Sequence, residues 1–260
     1  MDHAVKIAAR DLTVDFRVPA GAIEAHSEDS ANPRFQQVGN RTVLRALDRL
    51  TFDIMPGERV GVWGPNGSGK TTLLRALRGV YSPSDGELVV EGKTQSFLNL
   101  TFGLNEDATG WENILLRGVL MGERPGSIRA KMPKIAEFSE LGEFLNMPLR
   151  SYSAGMRMRL ALSVAMELPS DILLMDEWLS VGDASFRQKA AARMREAVEA
   201  SKILIIASHN RKLIEGLCTR ILTLDQGRIV SDQAVSGETK PANTKHRVKA
   251  GARRVKNKSR

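Results

Sequence analysis

The stretch Gly64-Pro65-Asn66-Gly67-Ser68-Gly69-Lys70-Thr71-Thr72 constrains this chain more than any other. It has the form G-x-x-x-x-G-K-[ST], a loop for holding polyphosphate. Val60-Gly61-Val62-Trp63 just before it suits the end of a buried strand. After it, Leu73, Leu74 and Leu77 share one helical face, with Gly79 as a stop. Strand, glycine loop and helix imply an α/β fold built around a nucleoside triphosphate. Glycines let the backbone curl so that successive N–H groups point at anionic oxygens, and the helix N-terminus adds its positive end. Lys70 would reach the β- and γ-phosphates and the Thr71 hydroxyl would ligate Mg²⁺. A surface glycine turn before an ordinary helix is the plainer alternative, and the flanks argue against it.

Further acidic and polar groups fall where such a site needs them. Asp176 and Glu177 end the apolar run Ile172-Leu173-Leu174-Met175. A carboxylate at the carboxyl end of a parallel strand, beside a phosphate loop, is placed to hold Mg²⁺. Asp176 takes that role here, and Glu177 takes that of general base for the water attacking the γ-phosphate. His209 follows the next apolar run, Ile203-Leu204-Ile205-Ile206, in the same manner and could contact the γ-phosphate or that water. Ser153 and Gly155 open a helix carrying Leu160, Val164 and Leu168, and offer a hydroxyl, free N–H groups and a dipole as a second anion site. Ser153 is also a good helix cap whatever the function. Two anion sites in one chain make sense if they face each other across a dimer.

The order of elements supports the same core. Residues 5–18 suggest a strand, 19–42 a long polar loop, and 50–54 a second strand closed by Pro56-Gly57. A turn at 82–86 precedes a strand at 87–90, which makes an antiparallel element beside the nucleotide core. From about 105 to 168 the pattern is helical: Ile128, Met132, Ile135 and Leu141 form an apolar face behind a Ser127 cap. The continuous apolar runs at 172–175 and 203–206 mark parallel strands covered on both faces, with a helix over 185–201 between them. The helical block is therefore an insertion in an α/β core.

With 260 residues, 42% of them hydrophobic, there is material for a substantial core. The lone Cys218 sits in an apolar stretch and reads as a buried thiol. The start carries no apolar run of signal length, and no run reaches the roughly 18 apolar residues that span a bilayer. The net charge of +8 is concentrated in one place. Residues 240–260 hold nine Lys or Arg and no Asp or Glu, leaving 29 basic and 30 acidic residues in the rest. The ordered domain is expected over 1–238, with 239–260 a basic, disordered tail. Attraction of that tail to anionic lipid is a second reading. Nucleic acid is not expected, because no aromatic residue interleaves the charges.

These residues together resemble the ATP-binding subunits of ABC transporters, over about residues 5–235. The glycine loop is similar to Walker A and Ile172–Glu177 to Walker B. Ser153-Ala154-Gly155-Met156-Arg157 resembles the signature, whose commoner form is Ser-Gly-Gly-Gln. Leu179-Ser180-Val181-Gly182-Asp183 resembles the D-loop, and His209 the switch histidine. The resemblance implies that Phe16 stacks on adenine, the alternative being a core phenylalanine. It also implies a head-to-tail homodimer, in which each ATP lies between Lys70, Thr71, Asp176 and Glu177 of one copy and Ser153 and Gly155 of the other. A separate membrane-spanning permease subunit would complete the machine, with this chain peripheral on the cytoplasmic face of a bacterial inner membrane.

Three variant stretches narrow the resemblance: Tyr152–Met156, Asp176–Asp183 and Thr109-Gly110-Trp111-Glu112-Asn113-Ile114. They are similar to the branch that exports O-antigen, capsule and teichoic acid on lipid carriers, in its short type without a carbohydrate-binding domain. Another exported cargo, such as a lipid or drug, is the alternative, and a non-transport ABC ATPase on ribosomes or DNA a further one. The family's loop glutamine has no clear counterpart. Asn105 takes its place in the inferred alignment, with Gln95 as rival in the preceding strand. Residues 105–115 would couple to the permease, and Trp111 would be either a docking aromatic or a core one.

Overall fold

The computed structural model describes residues 4–19, 33–177 and 184–235. Strands β1 (Lys6–Arg17), β2 (Phe35–Val38) and β3 (Arg41–Ile54) come first, followed by β4 (Arg59–Trp63), helix α1 (Lys70–Leu77), β5 (Asp85–Glu91) and β6 (Thr94–Ser96). Helices α2 (Gly110–Leu120), α3 (Pro125–Ser139) and α4 (Ala154–Met166) form the inserted layer. The core then resumes with β7 (Ile172–Asp176), α5 (Ala184–Ala200), β8 (Ile203–Ala207), α6 (Arg211–Leu217), β9 (Arg220–Asp225) and β10 (Arg228–Ala234).

Two sheets result. The antiparallel one has the order β2-β3-β1-β5, and the other the order β10-β9-β4-β8-β7-β6. In the second, β4 pairs parallel with β8 and β9, and β7 with β6 and β8. All five residues of β8, and four of the five of β7, are buried, as continuous apolar runs in a covered parallel sheet should be. Because these strands run the same way, the ends of β4, β7 and β8 meet at one edge.

Several boundaries differ from the sequence expectation. The region read as a loop over 19–42 contains β2 and the start of β3, joined through Gly39 in the left-handed conformation. β3 begins nine residues before the expected strand at 50. Ser127 does not cap α3; the helix starts at Pro125, and the Ser127 hydroxyl donates to Glu123. Proline at the first helical position is preorganised and needs no N–H partner. Leu141 lies beyond α3, which ends at Ser139 and is followed by Glu140 as its C-cap with φ 55°, and Leu168 lies beyond α4. Both are still buried with Ile128, Ile135, Leu160 and Val164 in the core of the helical layer. The basic tail and Asp183 lie outside the described residues. Trp111 is half-buried against the same helical core, and Cys218 is fully buried, its thiol pushed up to about 12 by burial.

Gly61 in β4 is required by the approach of α6. A Cβ there would lie 2.1 Å from Ile214 Cγ2 and 3.3 Å from Cys218 Sγ. Gly61→Ala is therefore expected to cost about 1–3 kcal/mol by overpacking. Thermal melting would fall by about 2–4 °C per kcal/mol in a chain of this size. An unchanged melting temperature would mean that α6 is free to move outward.

Candidate active site

The glycine loop begins where β4 stops. Gly64 has φ 154°, and a Cβ there would lie 2.1 Å from the Leu224 carbonyl oxygen, so only glycine fits. At Gly69, with φ 109°, a Cβ would lie 2.9 Å from the Ala46 carbonyl. The loop's carbonyls are captured one by one. Lys70 Nζ donates to Gly64 O at 2.7 Å and Pro65 O at 2.9 Å. Arg34 Nη1 donates to Gly67 O at 2.5 Å, and Gly227 N–H to Ser68 O at 2.9 Å. In a trans peptide the N–H points opposite its C=O, so this capture turns the Gly69 N–H toward the open side. α1 follows at once with no side-chain cap and no acidic residue in its first turn. Its leading N–H groups are thus left for an anion.

Thr71 and Asp176 meet across the edge: the threonine Oγ1 donates to Asp176 Oδ2 at 2.7 Å. A hydroxyl beside one carboxylate suits Mg²⁺, which takes few protein oxygens and completes its shell with phosphate and water. Among the described residues no group of three or more His, Cys, Asp or Glu could hold a metal.

Glu177 sits immediately past β7 with φ 65°, a left-handed backbone that non-glycine residues rarely adopt. Its Oε2 accepts from Ser208 Oγ at 3.0 Å, and its Oε1 from the His209 N–H at 3.0 Å. His209 Nδ1 lies 2.7 Å from the same Oε1. Burial raises the Glu177 pKa, but the His209 ring, the His209 N–H and the Ser208 hydroxyl outweigh it, so the carboxyl rests below its ordinary value. It is ionised at neutral pH, as a proton acceptor must be. The His209 side chain is 78% exposed, so its ring is available to a ligand from the open side.

The other expected residues stand apart. Ser153 caps α4, its Oγ accepting the Met156 N–H at 3.2 Å, and Gly155 is exposed two residues on, in the same first turn. Thr72 is half-buried in α1, while Pro65, Asn66 and Gly67 form the exposed loop tip, with Ser68 buried beneath. Phe16 is half-buried, packs against the apolar core and meets Tyr81 edge-on, ring centres 5.0 Å apart. Asn105 is exposed, and its side chain accepts the Asp107 N–H at 3.0 Å in the turn before α2. Gln95 is buried in β6 and donates its amide to Ala165 O in α4. Sequence reasoning missed Ser208 and Arg34. Ser208 could have been found from its place beside His209; Arg34 lay in the stretch read as loop.

A family model described as ABC transporter matches residues 47–180. The O-antigen export system ATP-binding protein RfbE of Yersinia enterocolitica is 43% identical over 194 residues, 75% of this chain and 81% of that protein. The teichoic acids export ATP-binding protein TagH of Listeria innocua is 40% identical over 184 residues, 71% of this chain but 55% of its own length. The O-antigen export system ATP-binding protein RfbB of Myxococcus xanthus is 39% identical over 75% of this chain, which spans 44% of that relative. Among solved structures, the dimeric ATP-binding cassette MJ0796 bound to ADP and Pi aligns with a TM-score of 0.65 at 19% identity. That alignment covers 89% of this chain and 99% of MJ0796, a likeness of fold.

Proposed function

The chain belongs to the ABC transporter family, and from that premise we propose that it powers export of a lipid-linked polysaccharide through a separate membrane-spanning subunit. The observation that carries the ATPase is the meeting of Thr71 with Asp176, and of Glu177 with Ser208 and His209, at the sheet edge that holds the glycine loop. The likeness to O-antigen and teichoic acid export proteins supports the cargo.

In this reading Lys70 leaves the Gly64 and Pro65 carbonyls for the terminal phosphates of ATP. Thr71 and Asp176 hold Mg²⁺, which when bound neutralises charge on the phosphate oxygens. Glu177 takes the proton of the attacking water, and His209 orients that carboxylate and faces the γ-phosphate. Ser153 and Gly155 complete the site from a second copy, head to tail, so that ATP bridges two chains and hydrolysis releases them. Asp183 would join that contact. Phe16 would stack on adenine, and Asn105 would sit where the loop meets the helical layer.

A groove supports the membrane partner. About 510 Å³ in volume, it is lined by Val80, Leu98, Phe102, Leu120, Arg78 and Arg117 among others. Phe102 is 79% exposed and Leu120 67%, an apolar concentration that marks a contact surface. No helix among the described residues is long and apolar enough to cross a membrane, so the pore would come from the partner. The chain would then sit at the cytoplasmic face of the inner membrane.

Purifying the full chain with its native partners tests this. A multispanning membrane protein retaining a lipid-linked polymer is the expected result. Ribosomes or DNA in its place would overturn the transport reading, and a membrane partner carrying another lipid would overturn the cargo. Deleting 240–260 is expected to leave ATP hydrolysis unchanged while weakening sedimentation with anionic vesicles. A large loss of hydrolysis would give the tail a role in the cassette itself.

A further inference from the structure

We propose that Arg34 is a positioning residue for the glycine loop, holding it in shape for the polyphosphate when Lys70 turns away. Arg34 stands just before β2, and its carbonyl accepts the Arg45 N–H at 2.7 Å, which fixes it on the hairpin formed with β3. From there its guanidinium reaches three main-chain carbonyls: Arg45 O through Nε at 3.0 Å, Ala46 O through Nη2 at 3.2 Å, and Gly67 O through Nη1 at 2.5 Å. The first two belong to the antiparallel sheet and the third to the exposed tip of the glycine loop. One planar fork thus ties the two together.

The reason such a tie matters lies in the loop's composition. Gly64, Gly67 and Gly69 all have positive φ, and glycine loses more freedom on ordering than any other residue. Something must hold the loop before ATP arrives, or the ordering cost falls on binding. Lys70 supplies part of that hold through the Gly64 and Pro65 carbonyls. Yet Lys70 is the residue that has to leave them for the phosphates. The loop then keeps its internal Ser68 N–H to Pro65 O bond at 3.2 Å, and among the described residues it is still tied to other elements by the Gly227 N–H on Ser68 O and the Arg34 fork on Gly67 O. Of the donors that tie the loop to other elements, the Arg34 guanidinium is the charged one, beside a site for a polyanion. Arginine is suited to this by its rigid fork of donors, whereas lysine offers one flexible point.

The inference rests on the glycine loop being the ATP site, and the experiment separates the two. ATP binding by calorimetry and steady-state hydrolysis are measured on the full chain, wild type, Arg34→Ala and Arg34→Lys. If the wild type binds no ATP, the reading of the site fails. If it binds, Arg34→Ala is expected to raise the dissociation constant and KM about tenfold, the loss of one charged hydrogen bond. The kcat should stay near wild type, because the catalytic groups at β7 and β8 are untouched. Arg34→Lys should recover less than half of the lost affinity. Hydrogen exchange of the amides at 66–69 without nucleotide should be faster in Arg34→Ala, a readout that stands even if that variant is less stable. Wild-type KM in Arg34→Ala, a matching fall in kcat, full recovery by Arg34→Lys, or unchanged exchange at 66–69 would each overturn the proposal.

Discussion

Glu177→Gln is expected to slow ATP hydrolysis by about 100- to 10,000-fold, the usual worth of a general base, while leaving ATP binding intact. The carboxylate is held by the Ser208 hydroxyl, the His209 N–H and the His209 ring. Glutamine has the same shape and keeps one oxygen to accept the His209 N–H. Its amide can face Ser208, whose oxygen already accepts the Asn210 N–H at 3.0 Å. The side chain therefore stays in place and only the proton acceptor is lost. With ATP bound but not consumed, the proposed two-chain sandwich should persist, visible as an ATP-dependent dimer on size exclusion. A loss of 100-fold corresponds to about 2.7 kcal/mol of barrier. Hydrolysis within threefold of wild type would place the base elsewhere, and His209→Ala would then be the next variant to measure.

The features that the sequence made legible are local ones. The glycine loop, the apolar runs that became β7 and β8, and the residues just past them are each contiguous, and a parallel sheet brings their ends together without further information. Ser153 was readable as a cap for the same reason. The parts that were not legible depend on pairing across long separations. β3 shows a half-buried pattern along much of its length, because β1 and β2 complete its hydrogen bonds from either side, and polar residues such as Arg41, Thr42 and Arg45 hide it among loop composition. Gln36 and Gln37 in β2 give no strand signal at all; the hairpin register carries them. Arg34 lies 33 positions from Gly67, and nothing in its neighbours announces that contact. Ser127 lost to Pro125 as the start of α3 because a fixed φ outweighs a capping hydroxyl that has another partner in Glu123.

Lys70→Ala is expected to weaken ATP binding by more than about 100-fold, through two contributions. Hydrogen bonds from a charged donor contribute about 1.5–3 kcal/mol each, and the ammonium can reach oxygens of two phosphates. Against this, Lys70 must first give up the Gly64 and Pro65 carbonyls, so part of the gain is offset. In the variant both carbonyls lose the ammonium, Pro65 O keeping the Ser68 N–H at 3.2 Å, which loosens the loop before any ligand binds. The two contributions differ in how they depend on the ligand. Loss of the phosphate contact should grow along the series AMP, ADP, ATP and shrink as salt is raised, since it is Coulombic and partly exposed. Loss of loop order should weaken all three nucleotides by a similar factor. Calorimetric titration of the three against wild type and Lys70→Ala decides between them. The expected outcome is a small effect on AMP and a large one on ATP; equal weakening of all three would make Lys70 chiefly a brace for the glycines, alongside Arg34 on Gly67 O.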